Sequence, residues 1–220
     1  MLKVITTEDG SHSLFDTDLN ETYHSTRGAE GESKHVFIKE GLEYLHNREK
    51  LSPIRILEVG LGTGLNALLT SNFAEKENCE IAFTSLEPYP ISKEIYQSLN
   101  YSKSEREEEI LIAIHDTNWE SNESITPHFT LHKTEKSLEE FSSDQLFDVI
   151  YFDAFAPSKQ PDVWSLGNLK KCADLLKSGG VLTTYCAQGQ FKRNLLEVGL
   201  HVETLQGAMG KKEMVRAHKS

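Results

Sequence analysis

From Ile54 onward the chain alternates short apolar runs with stretches of helical periodicity, and this alternation limits its fold more than any other feature. The strand candidates are "IRILEV" at 54 to 59, "IAFTSLE" at 81 to 87, "FTLHK" at 129 to 133, "FDVIYFD" at 147 to 153, "GVLTTYC" at 180 to 186, "HVETLQ" at 201 to 206 and "EMVRAH" at 213 to 218. Helices are expected between most of them, at about 65 to 75, 90 to 100, 104 to 113, 136 to 142, 164 to 177 and 188 to 198. Strands separated by helices build an α/β fold, a mostly parallel sheet covered on both faces. Only the turn "GAMGK" joins the last two runs, so they predict an antiparallel C-terminal pair. Ahead of this pattern, Asp9 and Gly10 form a hairpin turn signal, and Val36, Phe37, Leu42 and Leu45 fall on one helical face. Residues 1–50 therefore read as a hairpin and helix extension packed on the core, and 51–220 as the main domain. "DTNWESNESITP" reads as an irregular loop and "SKSEREEEI" as a solvated helix face.

The stretch "ILEVGLGTGLN" sets Gly60, Gly62 and Gly64 directly after the first main strand and ahead of a helix. Glycines there let backbone amides approach a ligand closely and let the strand turn sharply into a helix N-terminus. A nucleotide-like ligand follows. In the dinucleotide pattern G-x-G-x-x-G the third glycine would fall on Leu65, which argues against nicotinamide or flavin. The spacing present, E-x-G-x-G-x-G with Glu58 in front, resembles motif I of the S-adenosylmethionine-dependent methyltransferases. That resemblance implies a Rossmann-like class I methyltransferase fold with S-adenosylmethionine bound by Glu58, Gly60, Gly62, Gly64 and Asn66. The charges agree, because this cofactor carries an ammonium, a sulfonium and a ribose where a dinucleotide has a pyrophosphate. Glu58 can face the cationic end. Glu87, closing "TSLEP", can accept both ribose hydroxyls through its two oxygens.

In "YFDAFAPSKQPDVW" an aspartate, Asp153, directly follows an apolar run, and a chain gains nothing in stability by desolvating an unpaired carboxylate. This segment resembles the "DGFAPxKNPDMW" signature of the methyltransferase half of the MnmC family, which completes 5-methylaminomethyl-2-thiouridine at the tRNA wobble position. "ETYHSTRGAEGESKHVFI", "EVGLGTGLN" and "GAMGKKEM" are similar to further blocks of that family, so the likeness runs from about residue 21 to 216. No length remains for the family's FAD-dependent oxidase half. The resemblance thus implies a stand-alone methyltransferase, with its aminomethyl substrate supplied by a separate oxidase or an upstream modification enzyme. It also implies that Asp153 acts at the substrate amine. An ammonium has no lone pair, and a carboxylate beside the methyl donor can hold the amine, orient it and take its proton. The family further has an acid after the third main strand that can meet the adenine amino group, and Glu135 takes that role if one residue is skipped. Two departures bear on the substrate pocket: Ala154 stands where the family has glycine, and Ala208-Met209 replaces the middle of "GFGRK".

The net charge of -11 argues at first against a polyanionic partner, but its distribution does not. Residues 151–220 carry ten Lys and Arg against six Asp and Glu, so the acidity belongs to the first two thirds. Lys159, Lys192, Arg193, Lys211, Lys212 and Arg216 are candidate phosphate contacts for tRNA, contributing affinity and salt dependence. Pro157 and Pro161 stiffen the loop after Asp153, which suits a loop that holds a flipped base. Phe155 can stack on a base or pack inward, and for Trp164 the core is favoured.

Three cysteines without CxxC or CxxH spacing predict neither disulfides nor zinc, and His128 and His132 lie in a strand-like run rather than on one helical face. No metal is expected. With no apolar leader and no window long enough to span a membrane, the chain is expected in the cytoplasm. Two other readings stand beside the leading one. A small-molecule amine could be the substrate of the same fold, since polyamine aminopropyltransferases have an aspartate in a comparable place. A binding module that has lost catalysis is disfavoured by the intact glycine loop and Asp153.

Overall fold

The computed structural model describes residues 1–220. At its start β1 (Leu2–Thr6), β2 (His12–Asp16) and the short β3 (Glu21–Thr22) form a separate antiparallel sheet. The first pair turns through Asp9, whose carboxylate accepts hydrogen bonds from the Ser11 backbone and from the hydroxyls of Thr7 and Ser11. A continuous helical stretch follows: α1 (Ala29–Ser33), a π-helical segment (Lys34–Glu43) and α2 (Tyr44–Glu49).

The main sheet begins with β4 (Ile54–Val59), α3 (Leu65–Glu77), β5 (Ile81–Leu86), α4 (Lys93–Tyr96), α5 (Glu105–Asp116), β6 (Asn122–Thr126), β7 (Phe129–Thr134) and β8 (Phe147–Phe152). It continues through α6 (Leu166–Leu175), β9 (Leu176–Thr184), α7 (Gly189–Glu197), β10 (Leu200–Gln206) and β11 (Glu213–Lys219). The eight strands lie in the order β10-β11-β9-β8-β4-β5-β7-β6. Five of them, β7, β5, β4, β8 and β9, run parallel. β11 inserts antiparallel between β9 and β10, as the short turn between the last two runs requires.

Every residue of the central strand β8 is buried. Val149 and Tyr151 face a cluster that includes Phe37, Leu42, Leu45, Leu68 and Ile114, while Ile150 and Phe152 face Leu169, Cys172, Phe191 and Leu195. Helices on both faces explain why this strand reads as one apolar run rather than an alternating one. The helix expected ahead of the main fold belongs to the first of these layers, with the Phe37 ring 5.2 Å from that of Tyr151.

Three expectations are corrected. "DTNWESNESITP" contains the edge strand β6, which pairs antiparallel with β7 through a short connection at Pro127 and His128. Its few apolar residues hid it, because an edge strand with one exposed face carries little hydrophobic signal. The predicted helix at 136 to 142 is a turn, and that at 90 to 100 shrinks to Lys93–Tyr96. The charge run "SEREEEI" opens α5, where the Ser104 hydroxyl caps the Glu107 amide and acids occupy the first turn, the arrangement that favours a helix N-terminus.

Candidate cofactor and amine site

The sheet's connections leave β4 in one direction towards β5 and resume on its other side at β8, and open α/β sheets bind ligands in the crevice at such a point. A cavity of about 860 Å³ lies there. This is within the range of sites that enclose small molecules. Its walls include Gly60, Gly62, Asn66, Glu87, Asp153, Phe155 and Lys159, together with Tyr23 and His24 from the N-terminal extension.

The glycines allow close packing of loop on loop. Gly60 has φ of +97°, and a Cβ there would come within 2.8 Å of the Asp153 carbonyl oxygen. Gly64 has φ of +74°, with the His115 ring nitrogen 2.8 Å from where its Cβ would stand. Any side chain at either position would push the loop off its neighbours.

Glu87 is 9% exposed, and each of its oxygens accepts one backbone N–H, from Gly62 at 2.8 Å and Tyr89 at 2.9 Å. Burial raises its pKa, and the two amides partly offset this. A carboxylate offers about four acceptor directions, so capacity remains for two hydroxyls. Asp153 accepts a hydrogen bond from Asn66 Nδ2 at 2.8 Å. Burial, and then the nearby charge of Glu32, push its pKa up to about 7, against the pull of Asn66 and Lys211. A carboxyl group titrating there can exchange a proton at neutral pH.

Glu58 differs from the expectation. It is fully buried beneath the loop, with Oε2 accepting from the Ser85 hydroxyl at 2.6 Å and Oε1 without a partner. Desolvation raises its pKa well above the usual carboxylate value, and the charges of Asp153 and Glu87 add to this. It lies within β4, held by Ser85 of β5 and outside the cavity wall, whereas the sequence led us to expect it facing the cationic end of a ligand.

Other candidates separate. Phe155 meets the Tyr23 ring edge-on at 4.9 Å on the cavity wall, and Lys159 lines the cavity while donating to the Leu19 carbonyl at 2.9 Å. Pro157 is half-buried outside the wall, and Trp164 is core, donating to the Phe155 carbonyl at 2.7 Å. Glu135 is exposed and lies away from the cavity, whose corresponding edge is formed by residues 137–140.

Arg216 is corrected as well. It is 7% exposed, bound to Glu40 and Glu203, with its guanidinium 3.5 Å from the centre of the Tyr44 ring, so it is an internal brace and not a phosphate contact. Lys192 pairs with Glu213, and Lys211 with Glu32. Lys212 remains exposed at the β10–β11 turn. Tyr23, His24 and Glu32 went unassigned in the sequence, although the block "ETYHSTRGAEGE" that carries them is one of the four family-like stretches.

The residues present fit S-adenosylmethionine. Two buried polar atoms at the cavity, Thr63 Oγ1 and Asn66 Oδ1, lack partners, and Glu87 keeps free acceptor positions over the second strand. Buried polar groups without partners are costly unless a ligand or water meets them. Comparison with known proteins agrees: the chain belongs to the S-adenosyl-L-methionine-dependent methyltransferase family, whose profile matches residues 102–220.

More particular likenesses follow. The tRNA 5-methylaminomethyl-2-thiouridine biosynthesis bifunctional protein MnmC of Leptospira interrogans is 31% identical over 209 residues, which cover 89% of this chain and 32% of that protein. The protein of the same name from Pseudoalteromonas atlantica is 27% identical over 218 residues, 90% of this chain and 31% of its own. The chain thus spans about a third of the length of these curated relatives. The crystal structure of MnmC2 from Aquifex aeolicus superposes with a TM-score of 0.83 at 22% identity, covering 99% of this chain and 70% of that one. That match concerns the fold.

Proposed function

We propose that this methyltransferase acts on tRNA, converting the aminomethyl group of 5-aminomethyl-2-thiouridine at the wobble position into methylaminomethyl. The observation that carries the reading is Asp153, a carboxylate poised to titrate near neutrality, placed on the cavity wall in a chain whose relatives are named for this nucleoside. S-adenosylmethionine supplies, when bound, a methyl carbon activated by its sulfonium. Glu87 would hold the ribose hydroxyls, and Thr63 and Asn66 offer polar atoms to its amino acid end. Asp153, held by Asn66, would receive the substrate ammonium, accept its proton and leave the nitrogen lone pair aimed at the methyl carbon. The Tyr23 and Phe155 rings form an aromatic edge against which an extruded base can pack. The aminomethyl group would be put in place by an earlier reaction, distinct from the methyl transfer.

A small-molecule amine is the second reading, favoured by one observation. Asp16, Asp18, Glu139, Glu140 and Asp162 also line the cavity, and that much negative charge suits a cationic substrate better than a phosphate backbone. The deciding experiment is transfer of labelled methyl from S-adenosylmethionine to tRNA lacking the modification, followed by nucleoside analysis. Label in 5-methylaminomethyl-2-thiouridine is expected. Label absent from tRNA but transferred to a small amine would overturn the proposal.

A further inference from the structure

The end of α5 packs directly behind the glycine loop, and one of its side chains grips the loop from outside the cavity. His115, in the last turn of α5, has its Nε2 3.1 Å from the Thr63 carbonyl oxygen. A carbonyl only accepts, so this nitrogen carries the proton and the ring acts as a fixed donor. The ring lies flat on that of Tyr96, with centroids 4.3 Å apart and planes 3° from parallel. It also fills the space beside Gly64 that any Cβ there would need. His115 does not line the cavity, whereas Thr63 does: Thr63 is 1% exposed, and its hydroxyl has no partner in the protein.

A second contact fixes the ring's own position. Lys133 of β7 is 1% exposed and donates from Nζ to the His115 carbonyl at 2.6 Å, with its ammonium 4.6 Å from the centre of the Trp119 ring. An ammonium leaves water at a cost, and a carbonyl at the C-terminal end of a helix and an aromatic face are both partners that favour a cation. Held there, Lys133 anchors the last turn of α5 and with it the direction of the His115 ring. The glycine loop is thereby gripped at two consecutive residues, Gly62 by Glu87 and Thr63 by His115. Glu87 also faces the ligand; the His115 contact lies wholly within the protein, so it can shape the loop before the cofactor arrives.

We propose that His115 is a positioning residue for S-adenosylmethionine, a donor behind the glycine loop, set in place by Lys133, that holds Thr63 and the loop in the form that receives the cofactor. The inference rests on the cofactor site and not on the choice between tRNA and a small amine as substrate.

The test compares wild type with His115→Phe, which keeps the stack on Tyr96 and removes the donor, and with His115→Gln, which keeps an N–H and removes the ring. Lys133→Met and its combination with His115→Phe complete a double-mutant cycle. Affinity for S-adenosylmethionine and S-adenosylhomocysteine is read by calorimetry in protein shown by circular dichroism to be folded, and KM for the cofactor and kcat are read separately in the methylation assay. His115→Phe is expected to weaken binding of both by about 10-fold, as the loss of one partner of a buried carbonyl does, and to raise the cofactor KM likewise with kcat nearly unchanged. His115→Gln should bind almost as wild type does. The double variant should bind little worse than the weaker single one, because both changes act on one contact. Unchanged affinity in His115→Phe would overturn the proposal, as would an equal loss in His115→Gln; additive losses in the double variant would overturn the role given to Lys133. Calorimetry needs no methyl acceptor, so a failure to methylate tRNA would count against the substrate reading alone.

Discussion

Replacing Asp153 by asparagine should remove methyl transfer and, at the same time, stabilise the protein above neutral pH. The carboxyl group has an unfolded-state pKa near its ordinary value of 3.8 and a folded value of about 7. Between those values the native state binds a proton that the unfolded state has lost, so native stability falls as pH rises through the interval. At about 1.4 kcal/mol per unit, the full shift corresponds to roughly 4 kcal/mol at pH 8, an upper bound that partial solvent access at the cavity lowers. Asparagine keeps the shape and can still accept the Asn66 hydrogen bond, now without a charge to desolvate. A gain of about 2 kcal/mol at pH 8 is a fair expectation, which for a chain of this size raises the melting temperature by roughly 4–8 °C. Below pH 4 the gain should vanish, because aspartic acid is then neutral in both states. Urea unfolding of both proteins at pH 4, 6 and 8, with S-adenosylmethionine affinity measured by calorimetry, checks every part. A variant no more stable at pH 8, or one whose gain does not depend on pH, would refute the reasoning.

Three further outcomes are expected. Glu87→Gln should weaken S-adenosylmethionine binding by roughly 10- to 100-fold in calorimetry, since it loses charge-assisted hydrogen bonds of about 1.5–3 kcal/mol and sets an amide against the Gly62 or Tyr89 N–H. Gly60→Ala should lower both cofactor affinity and thermal stability, because its Cβ would press on the Asp153 carbonyl at 2.8 Å in a backbone conformation with positive φ. Arg216→Met should destabilise by about 1.5–3 kcal/mol in denaturant titration, by removing the buried cation that Glu40 and Glu203 share and leaving them only Lys39 and His218, and should not change RNA affinity or its salt dependence; Lys212→Glu should leave stability nearly unchanged and weaken RNA affinity.

How much of this was legible in the sequence depended on how locally each feature is encoded. The strands and the glycine loop carry their signal in consecutive residues, and six of the predicted runs fall within a residue or two of strands β4, β5, β7, β8, β10 and β11. β6 was lost because two of its five residues are exposed and only one is fully buried. The positions of Gly60, Gly62, Asn66, Glu87 and Asp153 around one cavity follow from loops at the same end of a parallel sheet, which periodicity alone can suggest. Charge counting served less well. Arg216 and Lys211 belong to the basic C-terminal third by composition, yet each is held by an acid more than 170 residues away in the chain. No local pattern announces such pairs. Glu32 was missed for the same reason, and Glu58, expected to face a ligand, lies within β4 and outside the cavity wall.

The contact between Glu32 and Lys211 joins residues 179 positions apart. During synthesis the N-terminal hairpin and the first helices emerge long before the strands that complete their surroundings, and contacts of such separation form late because the chain between them must first be ordered. β11, which carries Lys211 at its entry, also closes the sheet between β9 and β10. The strand that fills the gap between β9 and β10 thus also carries the turn that fastens Lys211 to Glu32, so the edge of the sheet and the N-terminal segment are tied by one element.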